Sequence, residues 1–119
     1  MAGYKIDRIT SDIRIALAEM FRELKDPRIS SLLSIVKVNV SGDLSYAKVY
    51  VSAIEGREAT ENSVKGLKSA AGYLRRELGS RLSLRKVPEL QFVADDSIER
   101  SSQISKIIDS FSGGGEDNA

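Results

Sequence analysis

Lysine, arginine and glycine residues that suit phosphate binding are concentrated between positions 65 and 86. Lysine and arginine attract phosphate oxygens, and glycine lets another backbone approach closely because it has no side chain. If the segment is one helix, with about 100° between successive residues, six of these residues share one stripe beside the apolar stripe. They are Lys65, Lys68, Gly72, Arg75, Arg76 and Gly79. The pattern indicates a phosphate-binding surface, and a solvated helix face whose glycines ease packing explains the wheel equally well.

The charge of the chain is unevenly distributed. The net charge is only +1, but residues 73–88 carry five basic residues and one acidic residue, which is a local charge of +4. Residues 95–119 carry two basic and six acidic residues, a local charge of −4. A balanced chain therefore contains a patch that attracts anions. If the anionic partner is RNA, the residues predicted to bind it are Lys5, Arg8, Arg28, Lys65, Lys68, Arg75, Arg76, Arg81, Arg85 and Lys86, with Arg14 able to extend the footprint.

Arg28 and two tyrosines each have two possible roles. Arg28 either contacts RNA or caps the end of the first helix. Tyr46 and Tyr50 are expected on the outer face of a sheet, where tyrosines either stack on bases or pack across strands. We favour cross-strand packing for these two tyrosines.

The composition argues against most enzymes. The chain has no cysteine and no histidine, so disulfides, thiol nucleophiles, imidazole bases and the common zinc ligands are all missing. Asp95 and Asp96 resemble a catalytic pair, but Ser97 and the apolar run that follows favour a cap for a last helix. We expect no catalytic residue, metal, cofactor or small-molecule substrate.

The size and hydropathy of the chain indicate one soluble domain. A length of 119 residues fits a single core, and 41% hydrophobic with 29% charged residues is typical of globular proteins. No run approaches the roughly 20 apolar residues of a membrane span, and the N-terminus does not resemble a secretory signal. We expect a cytoplasmic monomer.

The hydrophobic spacing predicts an α+β fold. A helix over 7–24 should end near Lys25, because Pro27 cannot continue it. Strand 34–40 should place Val36, Val38 and Val40 on its inner face, and a turn at 41–43 should lead to a second antiparallel strand. The inner face of that strand is expected to consist of Ala47, Val49, Val51 and Ala53.

The second half of the chain is predicted to be helical, then extended, then helical. Residues 59–82 form a helix with a break near Gly72, residues 90–94 a third strand, and residues 98–111 a terminal helix. The tail, 112–119, is expected to be disordered. The spacing leaves open whether Gly72 continues an ordinary helix or has a positive φ angle or a close neighbour, and Gly66 is predicted to tolerate alanine.

Several segments together resemble the ribosome-binding factor A family. Usual type II KH domains have a GXXG loop between two helices, which this sequence lacks; Ala70, Ala71 and Gly72 instead resemble the family's A-x-G kink. The other matching segments are KDPR at 25–28, DLSYAKVYV at 43–51, LRKVPELQF at 84–92 and DDS at 95–97. The resemblance implies a type II KH-like domain over 1–111, with one three-stranded sheet, helices on one face and an additional C-terminal helix. It also favours a positive φ angle or a close neighbour at Gly72, and we predict this role for it.

The same resemblance implies a function. It describes a ribosome maturation factor that binds the free 30S subunit through 16S rRNA and assists late assembly and rRNA processing. The leading alternative is a protein-interaction module that presents the basic stripe to an acidic partner. A small carboxylate-based hydrolase is the third.

Overall fold

The computed structural model describes the backbone of residues 2–95 and the side chains of residues 6–95, and in this part of the chain three helices and three strands follow one another in the order α-β-β-α-α-β. The predicted terminal helix, the tail, Asp96 and the side chain of Lys5 lie outside the described residues. The α+β class is confirmed. The elements are α1 (Ala2–Glu23), β1 (Leu33–Val40), β2 (Tyr46–Ala53), α2 (Arg57–Ser69), α3 (Ala71–Leu82) and β3 (Glu89–Ala94).

The sheet has the strand order β1-β2-β3. β1 and β2 form the predicted antiparallel hairpin, and β3 pairs parallel with the other side of β2. A parallel pair needs a long crossover connection, which α2 and α3 provide. On β2 the predicted inner face is confirmed, since Ala47, Val49 and Val51 are fully buried and Ala53 nearly so.

The face prediction for the first half of β1 is wrong. Ile35 is buried and Val36 is only partly buried, although the sequence alternation placed Val36 inside. The cause is a register shift between Ile35 and Lys37: Ile35 pairs with Val51, and Lys37 pairs with the next residue back, Tyr50. Val36 is therefore the extra residue of a β-bulge, which reverses the alternation from that point. Beyond the bulge the expected inner face returns.

The three helices pack against the inner face of the sheet. Fully buried side chains come from every helix and from β2, and each contributes about 1.5–3 kcal/mol to stability by leaving water. They include Ile13, Leu17, Met20, Leu67, Leu74, Leu78, Val49 and Val51. The rings of Phe21 on α1 and Phe92 on β3 lie 6.1 Å apart between centroids.

The helix boundaries differ slightly from those predicted. α1 begins at Ala2 instead of Asp7 and ends at Glu23, one residue before the predicted end and four before Pro27. The long helix breaks at Ala70, whose φ of −93° and ψ of 3° interrupt the helical path. The Ala70 amide donates to the carbonyls of Gly66 and Leu67 at 3.1 Å each, so the turn keeps its hydrogen bonds.

Gly72 does not have the role predicted for it. It lies in the first turn of α3, the positive φ angles of the described residues do not include it, and a Cβ there would meet nothing within 4 Å. The close approaches occur at the other two helical glycines. A Cβ at Gly66 would lie 2.6 Å from Cγ1 of Ile29, and one at Gly79 would lie 2.6 Å from Cγ2 of Val87. The geometry at Gly66 therefore argues against the prediction that this position tolerates alanine.

Candidate nucleic-acid interface

Exposed, unpaired cations lie on both sides of the break between α2 and α3. Lys65 and Lys68 occupy the exposed side of α2, one turn apart, and Arg76 is exposed on α3. Within the described side chains, none of these three has a hydrogen-bond or ion-pair partner. The exposed backbone of Gly72 lies between them in sequence, with open space where a side chain would be. The arrangement can accept an anion without first breaking an internal contact.

The break changes how the basic stripe is built. The single wheel that joined Lys65 and Lys68 to the α3 residues assumed one continuous helix, and Ala70 ends that continuity. The stripe is therefore two short rows, one on each helix. On α3 the row still contains Gly72, Arg75 and Arg76, because these residues lie three and four positions apart.

Arg75 is exposed, and its guanidinium also forms hydrogen bonds within the protein. Its Nη2 and Nε donate to the carbonyl oxygen of Val87 at 2.9 and 3.3 Å. The same Val87 packs its side chain over Gly79, which is possible only because Gly79 has no Cβ. Together these contacts hold the loop between α3 and β3 along the helix. Arg85 belongs to the same loop, and it is exposed and unpaired within the described side chains.

Lys86 joins that loop to the β-hairpin turn. Its Nζ donates to the carbonyl oxygen of Asp43 at 3.1 Å. The turn is closed by Ser41 and Asp43, whose side chains accept hydrogen bonds from the backbone of Ser45. Hydrogen bonds from the Ser45 hydroxyl, the Ser45 amide and the Ser41 hydroxyl, with a smaller contribution from the charge of Lys86, lower the pKa of Asp43 to about 2.

Arg28 forms a closed pair with Asp26. Its Nη2 donates to Oδ2 of Asp26 at 2.6 Å, and its Nε donates to Oδ1 at 3.0 Å. These bonds lower the pKa of Asp26 to about 2 and raise the pKa of Arg28. The capping alternative for Arg28 is not what the structure shows, because its guanidinium binds a loop carboxylate instead of helix carbonyls. Oδ2 of Asp26 would lie 3.3 Å from a Cβ at Gly66, so Gly66 brings this loop against α2.

Arg81 is separated from the α3 row. It lies about 140° around the helix from Arg76, as five residues at 100° each require. Its Nη2 pairs with Glu23 of α1 at 2.8 Å and its Nε with Glu77 at 3.3 Å. Hydrogen bonding, first to Glu23 and then to Glu77, raises the pKa of Arg81. This arginine links α1 to α3.

The cations of α1 are also divided between two roles. Arg14 donates to the carbonyl oxygen of Ile35 at 3.0 Å, which ties α1 to β1. Arg8 is exposed and has no ion-pair or hydrogen-bond partner within the described side chains. The chain therefore places some predicted residues in internal contacts and leaves Arg8, Lys65, Lys68, Arg76 and Arg85 available.

The outer face of the sheet contains a cationic feature that was absent from the predicted set. Nζ of Lys37 lies 5.8 Å and Nζ of Lys48 lies 5.9 Å from the ring centroid of Tyr50. These distances fall within the range of cation–π attraction. The signal was present in the sequence, since Lys37 and Tyr50 both occupy outward positions of the predicted hairpin. Cross-strand pairing of Tyr50 with Lys37 agrees with the role favoured for it, and Tyr46, at the start of the same strand, is exposed.

Comparison with known proteins identifies the family. A family model described as "Ribosome-binding factor A" matches residues 5–108. The chain belongs to the ribosome-binding factor A family. The ribosome-binding factor A of Acetivibrio thermocellus is 50% identical to it over 109 residues, which cover 91% of this chain and 89% of that protein.

Solved structures of ribosome-binding factor A have the same fold. The crystal structure of the Thermus thermophilus protein superposes with a TM-score of 0.67 at 31% identity, covering 75% of this chain and 93% of that one. A Thermus thermophilus ribosome-binding factor A homology model, fitted into a cryo-EM map of a 30S complex, has a TM-score of 0.63, also at 31% identity, with the same coverage. The KH-like fold with three helices and one three-stranded sheet is thus confirmed.

Two further features, membrane-spanning helices and metal-binding groups of acidic residues, are missing from residues 2–95. None of the helices within residues 2–95 is both long and apolar enough to cross a membrane. In the same part of the chain, no three acidic residues are grouped so that they could hold a metal ion.

Proposed function

We propose that this chain is a ribosome maturation factor that binds the free 30S subunit through 16S rRNA. The observation that supports this proposal is the group of exposed cations around the α2–α3 break that have no partner among the side chains of residues 6–95, in a chain that belongs to the ribosome-binding factor A family. Lysines and arginines that have no internal partner can contact phosphates without breaking another interaction, and this contact releases counterions from the RNA. In this proposal Lys65, Lys68, Arg76 and Arg85 are the main phosphate contacts. Arg75 and Lys86 also contact phosphate while they hold the loop between α3 and β3. The proposal assigns the remaining predicted cations to the periphery of the RNA-binding surface: Lys5, Arg8, Arg28 and Arg81.

The function includes no chemical step by this chain. The factor acts by binding: it occupies an rRNA surface during late 30S assembly, assists 16S rRNA processing and then leaves, working as a monomer in the cytoplasm where 30S subunits mature. An equilibrium binder of this kind needs a surface that releases its RNA as well as holds it. A small number of exposed phosphate contacts suits that purpose, because each one is modest and screened by salt.

The test is a filter-binding titration of 16S rRNA and of purified 30S subunits at several salt concentrations. The double variant Lys68→Ala with Arg76→Ala should weaken binding to both. The slope of log affinity against log salt should become shallower by roughly 0.7 to 0.9 for each phosphate that the variant no longer binds. Arg57→Ala is the matched control, because Arg57 is exposed on α2 but is paired with Glu61 at 3.3 Å. An unchanged affinity and slope for the double variant would remove this surface from the interface.

Gly72 provides a separate test of how closely RNA approaches. Because a methyl group at Gly72 meets no protein atom, Gly72→Ala should leave the fold intact. If an RNA backbone lies against this position, the variant loses affinity although its stability is kept. If the variant binds as well as the wild type, the contact is made by the cations alone. Binding to acidic proteins but not to 16S rRNA would instead support the protein-interaction alternative.

A further inference from the structure

The face of the sheet that points away from the helices is uncovered in the described part of the chain. The three helices pack on the inner face, and none of the outward side chains of the strands is buried. These side chains belong to Ser34, Lys37 and Asn39 of β1, to Tyr46, Lys48, Tyr50 and Ser52 of β2, and to Glu89, Gln91 and Val93 of β3. Within residues 6–95 this face is therefore open to a partner, and its composition indicates which kind.

The pairing of the strands arranges the centre of this face in two rows. In one row Lys48 is paired with Asn39 on one side and with Gln91 on the other. Adjacent strands lie about 4.8 Å apart, so a cation is placed between two side-chain amides. In the next row Lys37 is paired with Tyr50. Cations, amides and an aromatic ring thus share one small surface.

Along β2 the outward residues alternate between aromatic and cationic. Tyr46, Lys48 and Tyr50 are two positions apart, and two residues of a strand span about 6.8 Å. The side chain of Tyr46 is 43% exposed. An exposed aromatic ring can stack on an unpaired base, and a lysine beside it attracts the phosphate that joins two nucleotides. The order of residues on β2 therefore matches the order of groups along a nucleic-acid strand.

The two lysines of this face lie near the same ring. Their Nζ atoms are 5.8 and 5.9 Å from the centroid of Tyr50, so the two charges are no more than about 12 Å apart. Neither Lys37 nor Lys48 has a hydrogen-bond or ion-pair partner within residues 6–95. An anion near Tyr50 is attracted by both charges. Glu89, the acidic residue of the face, is paired with Tyr46 at one corner and forms no ion pair with either lysine.

We propose that the outer face of the sheet binds a single-stranded RNA segment. Bases stack on the rings of Tyr46 and Tyr50, phosphates contact Lys37 and Lys48, and the two amides beside Lys48 form hydrogen bonds with base edges. A double helix fits less well, because its bases are stacked on one another and leave both rings without a partner. The contact between Tyr50 and the lysines does not oppose this binding, since both ammonium groups lie near the outer limit of cation–π attraction.

This surface and the cations around the α2–α3 break lie on opposite sides of the sheet, because the helices pack on the inner face. A chain that uses both surfaces contacts two RNA segments at once. The inference rests on the proposed function in taking RNA as the partner. It assigns a different surface to a different kind of RNA, so each of the two can fail without the other.

The test is a titration of full-length isotope-labelled protein with oligouridine, which remains single-stranded, followed through the tyrosine ring signals in NMR spectra. Stacking predicts that the ring signals of Tyr46 and Tyr50 shift as RNA is added. Tyr46→Ala should weaken binding, read from the Tyr50 signal, by roughly 5- to 150-fold if one base stacks there. Lys48→Ala should weaken it too, and should make the slope of log affinity against log salt shallower by roughly 0.7.

Lys25→Ala is the matched control for Lys48→Ala. Lys25 is also an exposed lysine, but it lies in the segment between α1 and β1 and not on the sheet. The control variant should bind oligouridine as the wild type does. Circular dichroism of each variant verifies that the fold is kept, and the ring signals of the wild type test the proposal without any substitution.

Three results would overturn the proposal. The first is a titration in which oligouridine leaves both ring signals unchanged. The second is equal affinity for the duplex of oligouridine with oligoadenosine, which would mean that stacking has no part in binding. The third is equal affinity for polyglutamate, which would assign the face to an acidic protein. None of these results bears on the 16S rRNA titration of Lys68→Ala with Arg76→Ala, which tests the proposed function separately.

Discussion

Replacing Gly66 by alanine tests whether α2 and the loop before β1 depend on a missing side chain. The new Cβ would lie 2.6 Å from Cγ1 and 3.2 Å from Cδ1 of Ile29. Such overpacking costs about 1–3 kcal/mol. Alanine gains about 1 kcal/mol over glycine in a helix interior, so the net loss is about 1 kcal/mol. For a domain of this size that corresponds to a melting temperature lower by about 4–8 °C.

The assay is thermal unfolding followed by far-ultraviolet circular dichroism, with Gly72→Ala as the matched control. Gly72 is helical and faces open space, so alanine there should raise stability by up to about 1 kcal/mol. The double variant Gly66→Ala with Ile29→Ala should lose less free energy of unfolding than the two single variants lose together, because Ile29→Ala removes the Cγ1 atom that clashes. If Gly66→Ala melted at or above the wild type, the close approach of Ile29 would not be a constraint and this reasoning would fail.

Four further substitutions test other parts of the fold. Gly79→Ala should also lower the melting temperature, because its methyl would meet a valine side chain at 2.6 Å. Val49→Asp should unfold the domain by burying an unpaired carboxylate, whereas Lys48→Asp on the outer face should keep its circular dichroism signal. Arg28→Ala should raise the pKa of Asp26 from about 2 towards its usual 3.8, measured by carboxyl NMR titration. Because the pKa of Asp26 is lower in the folded state than in the unfolded state, the pair with Arg28 stabilises the fold above the unfolded pKa. This stabilisation is lost as the pH falls towards 2. An Asp26 titration unaffected by Arg28→Ala would refute that pairing.

The sequence predicted those parts of the fold that repeat with a regular period. The inner face of β2 follows from strict alternation, and α1 follows from apolar residues three and four apart. The same reasoning failed at Val36, because a bulge inserts one residue without leaving a mark in the hydrophobic pattern. The position of the bulge is set by the pairing of β1 with β2, and the sequence of β1 alone does not indicate that pairing.

The glycines show a different limit. A helical wheel at 100° per residue places Gly66 and Gly72 about 120° to either side of the centre of the apolar stripe, so it does not show which of them has a close neighbour or which segment packs against each. Ile29 is distant in sequence from Gly66, and only the folded chain brings them together. The cations have the same limit, since charge and spacing identified the basic group but not that Arg81 is bound to Glu23 of another helix.

The bulge at Val36 has a consequence for how copies of the chain meet. β1 is at the margin of the sheet, and its free amide and carbonyl groups are able to recruit a strand from another molecule. A flat, regular margin invites such growth. The extra residue bends the strand and increases its local twist, and the exposed Lys37 just after it adds charge at the same place. The β-bulge at Val36 thus hinders edge-to-edge pairing of sheets into larger aggregates while the chain is concentrated or newly folded.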